Sequence, residues 1–599
     1  LLTPDSIRNE VERLEVRYLA NPYGNLLYGL VTDFADAIAE QMPEDRERLE
    51  IAAAAIEALN AQYGAGHFYL FHRKRTWSDS EQRWIGWERK RGKLEELNRA
   101  LCDPSQSGLD ELLHVGEAAN LKGIRYVITL DSDTQLPRDT GRKLVETMAH
   151  PLVRAVLSED GCKVVRGYAI LQPRVATSLP SATATLFSRI FTDPTGIDPY
   201  SRRVSDVYQD LMGEASYHGK GIYDLRVFHT LLNGRFPEAH LLSHDLIEGA
   251  HTMVGFASDI ELYDLFPSTY ASYIRRQHRW VRGDWQIADW LLPTVPGGAG
   301  RRQPNPLSAL NRWKILDNLR RSLVPAAATA MLLVAWITEP HGASSDLLLP
   351  RADWAAVVAG TMLLLPALLS FLSQLARANR VQPAAWAGVG SGLLRAAVTA
   401  SLIPHQALSN LDAIARVLHR RTISHRKLLE WETAAEAQRK GRGRFARFLW
   451  SMAWLPICAA LVALALSLRP GKGGEPAADP FLALWIISPL TVAWLSRRSL
   501  VLGARPLTGG DAQTLRQIAR LTWRFFDDFV GPQTNWLPPD NYQAFLRVEV
   551  AMRTSPTNIG LYLLSLLTAH DFGFLTLDAF LQRLSEALQT MTKLERYEG

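Results

Sequence analysis

Two carboxylates stand one residue apart in Asp131-Ser132-Asp133, directly after Tyr126-Val127-Ile128-Thr129-Leu130, a run suited to a buried strand. Alternate residues of an extended segment share a face, so both acids point toward one place. Such a pair suits a hard divalent cation, Mg2+ or Mn2+, which would in turn hold a diphosphate. A polar strand end with a capping Asp uses the same residues. Asp245, in Ser243-His244-Asp245-Leu246-Ile247-Glu248-Gly249, stands at the start of a predicted helix. A carboxylate there acts either as general base on a hydroxyl or as an N-cap. The stretch 275–285 packs cations beside aromatics. Its Arg279 suits a diphosphate and the face of Trp280 suits a pyranose ring, with a basic helix on a membrane surface as the competing reading. In the predicted helix 86–101, Lys93 and Asn98 are placed toward the same cleft, against the alternative of a solvated face. Gly219-Lys220-Gly221-Ile222-Tyr223-Asp224 is a Gly-flanked turn where backbone can approach a sugar closely, with Gly221 and Tyr223 as the contacts; an ordinary tight turn is its other reading.

The elements that must position these residues are legible as patterns. Strand-like runs at 25–34, 67–72, 124–131 and 163–172 alternate with helical patterns such as 43–63 and 86–101. Alternation of this kind predicts a parallel, doubly wound sheet across residues 1–300. Ligands of such sheets bind at the carboxyl ends of the strands. With 599 residues the chain exceeds one core. Its net charge of +5 suits an anionic partner such as phosphate or a lipid headgroup surface. Nucleic acid is excluded because the basic and aromatic residues are not interleaved along a separate surface. Three scattered cysteines, Cys102, Cys162 and Cys458, match no metal-ligand spacing and fit a reducing compartment.

Residues 301–505 are membrane-like. Apolar runs at 324–337, 354–375, 448–468 and 481–495 are read as four crossings, two of them short. A fifth run, 385–404, is interrupted by Arg395 and followed by Pro404-His405, and is read as re-entrant or interfacial. The basic segments 376–382 and 416–447 belong inside by the positive-inside rule, which puts both soluble ends in the cytoplasm. The stretch 416–447 is also a candidate for the membrane surface. Residues 506–599 are soluble in composition, with helical patterns at 511–530, 541–553, 557–570 and 577–596 and no strand signal. The opening Leu1-Leu2-Thr3-Pro4 carries no signal-peptide pattern and no Met, and is read as the start of a fragment.

In this order the motifs resemble the processive family 2-type glycosyltransferases, which have a GT-A-like nucleotide-sugar-binding domain. The resemblance assigns Asp33, at the end of the 25–34 strand, to the uridine and Arg279 to the donor diphosphate; Asp131 and, from its place on the 86–101 helix, Lys93 are read as donor-binding too. It assigns Asp131 and Asp133 to the metal and Asp245 to the base that closes a Thr-Glu-Asp motif, with His244 in place of the Glu. Arg279 and Trp280 match the end of a Gln-x-x-Arg-Trp motif in which Arg276 stands where Gln is expected and Gln277 follows. A closer similarity is to the cyclic β-1,2-glucan synthase family. It is carried by "NLLYGLVTDFADA" (25–37), "GWERKRGKLEELNRAL" (86–101), "ITLDSDTQLPRDT" (128–140), "GKGIYD" (219–224), "LSHDLIEG" (242–249), "RWVRGDWQ" (279–286), "LDAIARVLHRRTISHRKLLEWETAAEAQ" (411–438) and "RTSPTNIGLYLLS" (553–565).

That resemblance implies an inverting glucosyltransferase of a bacterial-type cytoplasmic membrane, with a cytoplasmic catalytic domain. It would use UDP-glucose and Mg2+ or Mn2+ to elongate a β-1,2-glucan. It further implies a first strand ending in Val-Pro-Thr upstream of Leu1, the opening of a glycoamylase-like helical domain at 506–599, and a phosphorylase domain beyond it. A cellulose- or hyaluronan-like synthase and a non-enzymatic export scaffold are the competing readings.

Overall fold

The computed structural model describes residues 3–595 except 104–107, 193–199, 201–204, 299, 339–350, 378–382, 431–444, 469–475, 498–508 and 545–547. The chain divides into two compact units, Leu1–Ser499 and Leu500–Gly599.

The first unit opens with helix α1 (Pro4–Ala20). Thr3 caps it through a reciprocal bond with Ser6, and Pro4 sits in the first turn, where its missing N–H costs nothing. Ile7, Val11 and Leu14 recur at helical spacing and bury against Ala52 and Ile56 of α2 (Asp45–Tyr63). Strand β1 (Tyr28–Asp33) lies between these helices in the chain. It pairs in parallel with β2 (Phe68–Arg73), so that Asp33 stands opposite Arg73. Every residue of β2 is buried, as expected for the central strand of a covered sheet. After helix α3 (Arg89–Cys102), strand β3 (Leu113–Val115) adds to β2 in antiparallel sense.

A second sheet holds β4 (Tyr126–Thr129), β5 (Ile170–Thr177), β6 (Gly221–Asp224) and β7 (Val254–Asp264) in the order β7-β5-β6-β4. Only β5 and β7 are parallel; β6 runs antiparallel to both of its neighbours. The expected single parallel sheet is therefore two mixed sheets. β1 and β4 are each edge strands, and among the described residues no strand pairs with both. The strand expected over 163–172 is also divided. Val164–Arg166 pairs with Val156–Leu157, and the chain then turns at Gly167 before β5 begins. Gly167 has φ +73°, and a Cβ there would lie 2.1 Å from the Arg154 carbonyl oxygen, so only glycine makes this bend.

Between the sheets and the apolar region come α4 (Asp245–Thr252) and α5 (Tyr270–Gln286). Then follow α6 (Ala309–Thr338), α7 (Arg351–Arg377) and α8 (Pro383–His419). Trp336 on α6, Ala355 and Ala359 on α7, Ile403 on α8, and Leu455, Leu482 and Trp485 beyond them form one buried cluster. Among the described residues two helical stretches are long and apolar enough to cross a bilayer, Ala309–Thr338 and Phe445–Ser467. The 354–375 run lies within α7.

Two expectations for this region change. The 385–404 run is no re-entrant segment but part of the continuous helix α8, which carries Pro404 inside it. Arg395 does not break the helix, because its guanidinium donates to the Phe191 carbonyl at 3.0 Å and stacks over the Phe191 ring. The 481–495 run is not one unbroken helix. It forms two short helices, Asp479–Ile486 and Ser488–Leu495, each with a proline in its first turn. Much of the connecting sequence that carried the charge-based orientation lies outside the described residues, including 431–444 of the basic stretch 416–447.

The second unit contains α9 (Gly509–Phe529), α10 (Pro556–Asp571) and α11 (Leu577–Lys593), packed around Trp523, Val530, Tyr562, Leu566 and Ala587. It is not wholly helical. The helix expected at 541–553 is instead a short antiparallel pairing of Tyr542–Gln543 with Glu549–Val550. The preceding Pro538-Pro539 disfavours helix entry, and Asp540 draws in Arg553 and Asn558 to close the ends of this hairpin.

Candidate active site

A cavity of about 2010 Å³ opens at the carboxyl ends of β1 and β4 and is bordered by Asp33, Lys93, Asp131, Asp133, Asp245, Arg279 and Trp280. Residues more than two hundred positions apart thus share one space. The cavity also runs between the unpaired edges of β1 and β4, past Leu30, Val31, Val127 and Ile128.

At one wall Asp33 accepts from Arg73 Nε at 2.6 Å and pairs with Lys93 Nζ at 2.8 Å. Burial alone would raise its pKa, but the two cations outweigh that and hold the carboxyl well below the usual carboxylate range. Arg73 was not singled out from the sequence. Its place beside Asp33 follows from the parallel register, which no local pattern reveals.

The Asp131-Ser132-Asp133 turn is fixed from outside by α1. Arg17 donates to the carbonyl oxygens of Asp131, Ser132 and Thr134 at 3.2, 3.3 and 2.9 Å, and Arg13 donates to that of Ser132 at 3.0 Å. The two carboxylates have unlike surroundings. Asp131 meets Lys90 Nζ at 2.6 Å on one oxygen and Lys220 Nζ at 3.2 Å on the other, which depresses its pKa against the effect of burial. Asp133 is raised by burial and by the charges of Asp264 and Asp131, with Lys220 opposing. A carboxylate crowded by acids is the member of the pair that fits a hard divalent cation. Asp131 is already engaged by two ammonium groups.

Lys90 ties the two ends of the cavity together. Besides Asp131, it donates to the Gly219 carbonyl at 3.0 Å. Burial would lower its pKa, but Asp131 and Asp245 raise it, so it stays charged. Asp245 packs directly on Gly219, where a Cβ would lie 2.4 Å from Asp245 Oδ1. Asp245 is the first residue of α4, and the capping alternative is not realised: His244 holds the cap position without a side-chain bond. His244 Nδ1 stands 3.5 Å from Asp245 Oδ1 and 3.0 Å from Glu248 Oε2. The ligand atoms of these three residues lie within 4.8 Å of one another.

Helix α5 supplies the opposite wall. Arg279 is pushed down to about 10 by burial and by its neighbours Arg276 and Arg282. Arg276, which takes the place of the expected Gln, is also lowered by burial, while Asp264, Asp133 and Asp131 favour its charge. Its guanidinium lies 4.2 Å from the Trp280 ring centroid, and Trp280 is 42% exposed.

Three expectations fail. Gly221 and Tyr223 do not reach the cavity. Gly221 sits in β6 opposite Thr129, and Tyr223 is fully buried, stacked on Phe228. Asn98 is likewise buried, accepting from the Tyr223 hydroxyl at 2.7 Å. The residue of that turn that borders the cavity is Lys220, and α3 brings the ammonium groups of Lys90 and Lys93 to it, beside Arg89 and the apolar Leu94, Leu97 and Leu101. Lys90 and Lys93 are three apart on one helical face, a signal that was available in the sequence.

No family model matches the chain. It is 40% identical over 609 aligned positions to the cyclic beta-(1,2)-glucan synthase NdvB of Rhizobium meliloti (strain 1021), an alignment that takes in 99% of this chain and 21% of that protein. The chain thus spans about a fifth of the length of the curated relative it matches. At this level and over nearly all of its own length, the chain is similar to one segment of a cyclic beta-(1,2)-glucan synthase.

Proposed function

We propose that the first unit is the GT-A-like transferase part of a glucan synthase, an inverting glucosyltransferase that uses UDP-glucose to elongate a β-1,2-glucan. The observation that carries this reading is that Asp133 and Asp245 border one cavity, joined through Lys90, Asp131 and Gly219. Asp245 takes the proton of the acceptor 2-hydroxyl. The hydroxyl oxygen forms a bond to C1 of the donor as the bond from C1 to the phosphate oxygen breaks, and UDP departs with that electron pair. One displacement from the opposite face turns an α-linked donor into a β linkage, and no enzyme nucleophile is needed. Arg276, Arg279, Lys90 and Lys220 supply positive charge for the departing diphosphate. Asp133 would hold Mg2+ or Mn2+, which neutralises diphosphate charge when bound. Asp33, with Lys93, lies at the carboxyl end of β1 where the uridine would sit, and Trp280 offers the acceptor an aromatic face.

The facing edges of β1 and β4 support the further reading that a strand from outside this chain joins the two sheets and completes the uridine pocket. Helices Ala309–Thr338 and Phe445–Ser467 support a bilayer as a partner, with the cavity on the cytoplasmic side. The second unit would begin a longer helical, glycoamylase-like domain.

The test is the full-length membrane protein incubated with radiolabelled UDP-glucose and each metal, followed by linkage analysis. Asp245→Asn is expected to abolish transfer and keep UDP binding. Unchanged turnover in that variant removes Asp245 from the base role. Products with another linkage assign the site to a different synthase.

A further inference from the structure

His244 stands where the related glycosyltransferases carry a glutamate, and nothing in the transfer step so far uses it. His244 is buried, 4% exposed, as is Glu248 one helical turn on. Its Nδ1 faces two carboxylates at once, Glu248 Oε2 at 3.0 Å and Asp245 Oδ1 at 3.5 Å. None of these three buried atoms makes an aligned hydrogen bond. A proton carried on Nδ1 would have both carboxylates within reach. His244 and Asp245 border the cavity, and Glu248 lies behind them.

We propose that His244 is a positioning residue for Asp245, sharing its Nδ1 proton between Asp245 and Glu248 so that Asp245 Oδ1 is held and Oδ2 is left to receive the acceptor proton. This rests on Asp245 being the base. The arrangement also keeps charge balanced through the reaction. When Asp245 is protonated, the imidazolium keeps Glu248 as its counter-ion and is not stranded in a buried site. The charged groups facing His244 are Glu248 and Asp245 from its own helix and Lys90 from α3. Burial opposes the imidazolium, but the two carboxylates prevail and raise its pKa, which supports the geometry. Glu248 and Asp245 also act on the Tyr217 hydroxyl, which lies 3.1 Å from that of Thr129.

The experiment compares His244→Ala, His244→Asn and Asp245→Asn in the full-length enzyme, measuring kcat, KM for UDP-glucose, and UDP affinity by calorimetry. An asparagine places an amide N–H where Nδ1–H stood, whereas alanine places nothing. His244→Ala is expected to lose roughly 10- to 100-fold in kcat through misplacement of the base, with UDP affinity held within about twofold. His244→Asn is expected to recover most of that loss. Wild-type kcat in His244→Ala overturns the inference, and so does an asparagine variant as slow as the alanine one. Loss of UDP binding in parallel with kcat overturns it too, because it marks a purely structural role. If Asp245→Asn itself turns over normally, the base reading fails and takes this inference with it. An inactive Asp245→Asn beside an unaffected His244→Ala sinks this inference alone.

Discussion

Substituting Gly219 by alanine separates the position of the proposed base from the stability of the fold. Gly219 has φ +76°, and a Cβ there would stand 2.4 Å from Asp245 Oδ1 and 2.8 Å from Oδ2. Ordinary van der Waals contact begins at 3.4 Å, so the carboxylate must retreat by about 1 Å. The atoms in the way are the far end of a side chain, so the backbone need not move. The left-handed φ costs about 1–2 kcal/mol for a non-glycine residue, part of which the lower unfolded-state entropy of alanine offsets. A displacement of about 1 Å at the reacting group, by contrast, costs on the order of a hundredfold in rate, or about 2.7 kcal/mol of barrier. Gly219→Ala should therefore fold and bind UDP while kcat for glucosyl transfer falls by roughly two orders of magnitude. The assay is radiolabel transfer by the full-length enzyme, with calorimetric UDP binding in parallel. A kcat within about twofold of wild type, with UDP binding intact, would refute the contact between Gly219 and the base as a feature of the working site.

Tyr223→Phe removes a buried hydroxyl and leaves Asn98 Oδ1 without its donor, which should cost about 1–3 kcal/mol of stability; acceptor KM should not change, and an altered KM would return Tyr223 to the cavity. Asp133→Asn should weaken Mn2+ binding in the presence of UDP at least about tenfold more than Asp131→Asn, because Asp131 is engaged by Lys90 and Lys220; equal losses by calorimetry would make the pair a joint ligand set. Asp33 has a depressed pKa in the fold, so its ion pairs contribute stability that is complete above the unfolded value of about 3.9 and is lost as pH falls toward the lower folded value. Asp33→Asn should accordingly lower stability at neutral pH and flatten its decline in acid, measured as the denaturation midpoint against pH.

What could be read from the chain alone was local. Apolar runs ending in acids located Asp33 and Asp131 at strand ends, and the acid before an amphipathic run located Asp245 at a helix start. Helical geometry could have sorted α3 further. Lys90 and Lys93 lie about 60° apart around the axis, but Asn98 is turned about 140° from Lys93, and it faces the core. The strand Gly221–Asp224 was harder. Alternation says that Lys220 and Gly221 point to opposite sides, but it does not say which side is the cavity, because a shift of one residue exchanges the two faces.

Composition, periodicity and motif order determined that this chain has strand-borne acids, an apolar helical region and a helix-rich tail. These are properties of neighbouring residues. The tertiary structure alone decided that two lysines neutralise Asp131 while Asp133 is crowded by acids. It alone decided that Arg73 faces Asp33, that Asp245 rests on Gly219, and that β1 and β4 end up in different sheets. Charge and shape at the site come from atoms that the chain brings together over long separations, and a carboxylate's chemistry is set by what stands within a few ångströms of it, whatever its distance along the sequence.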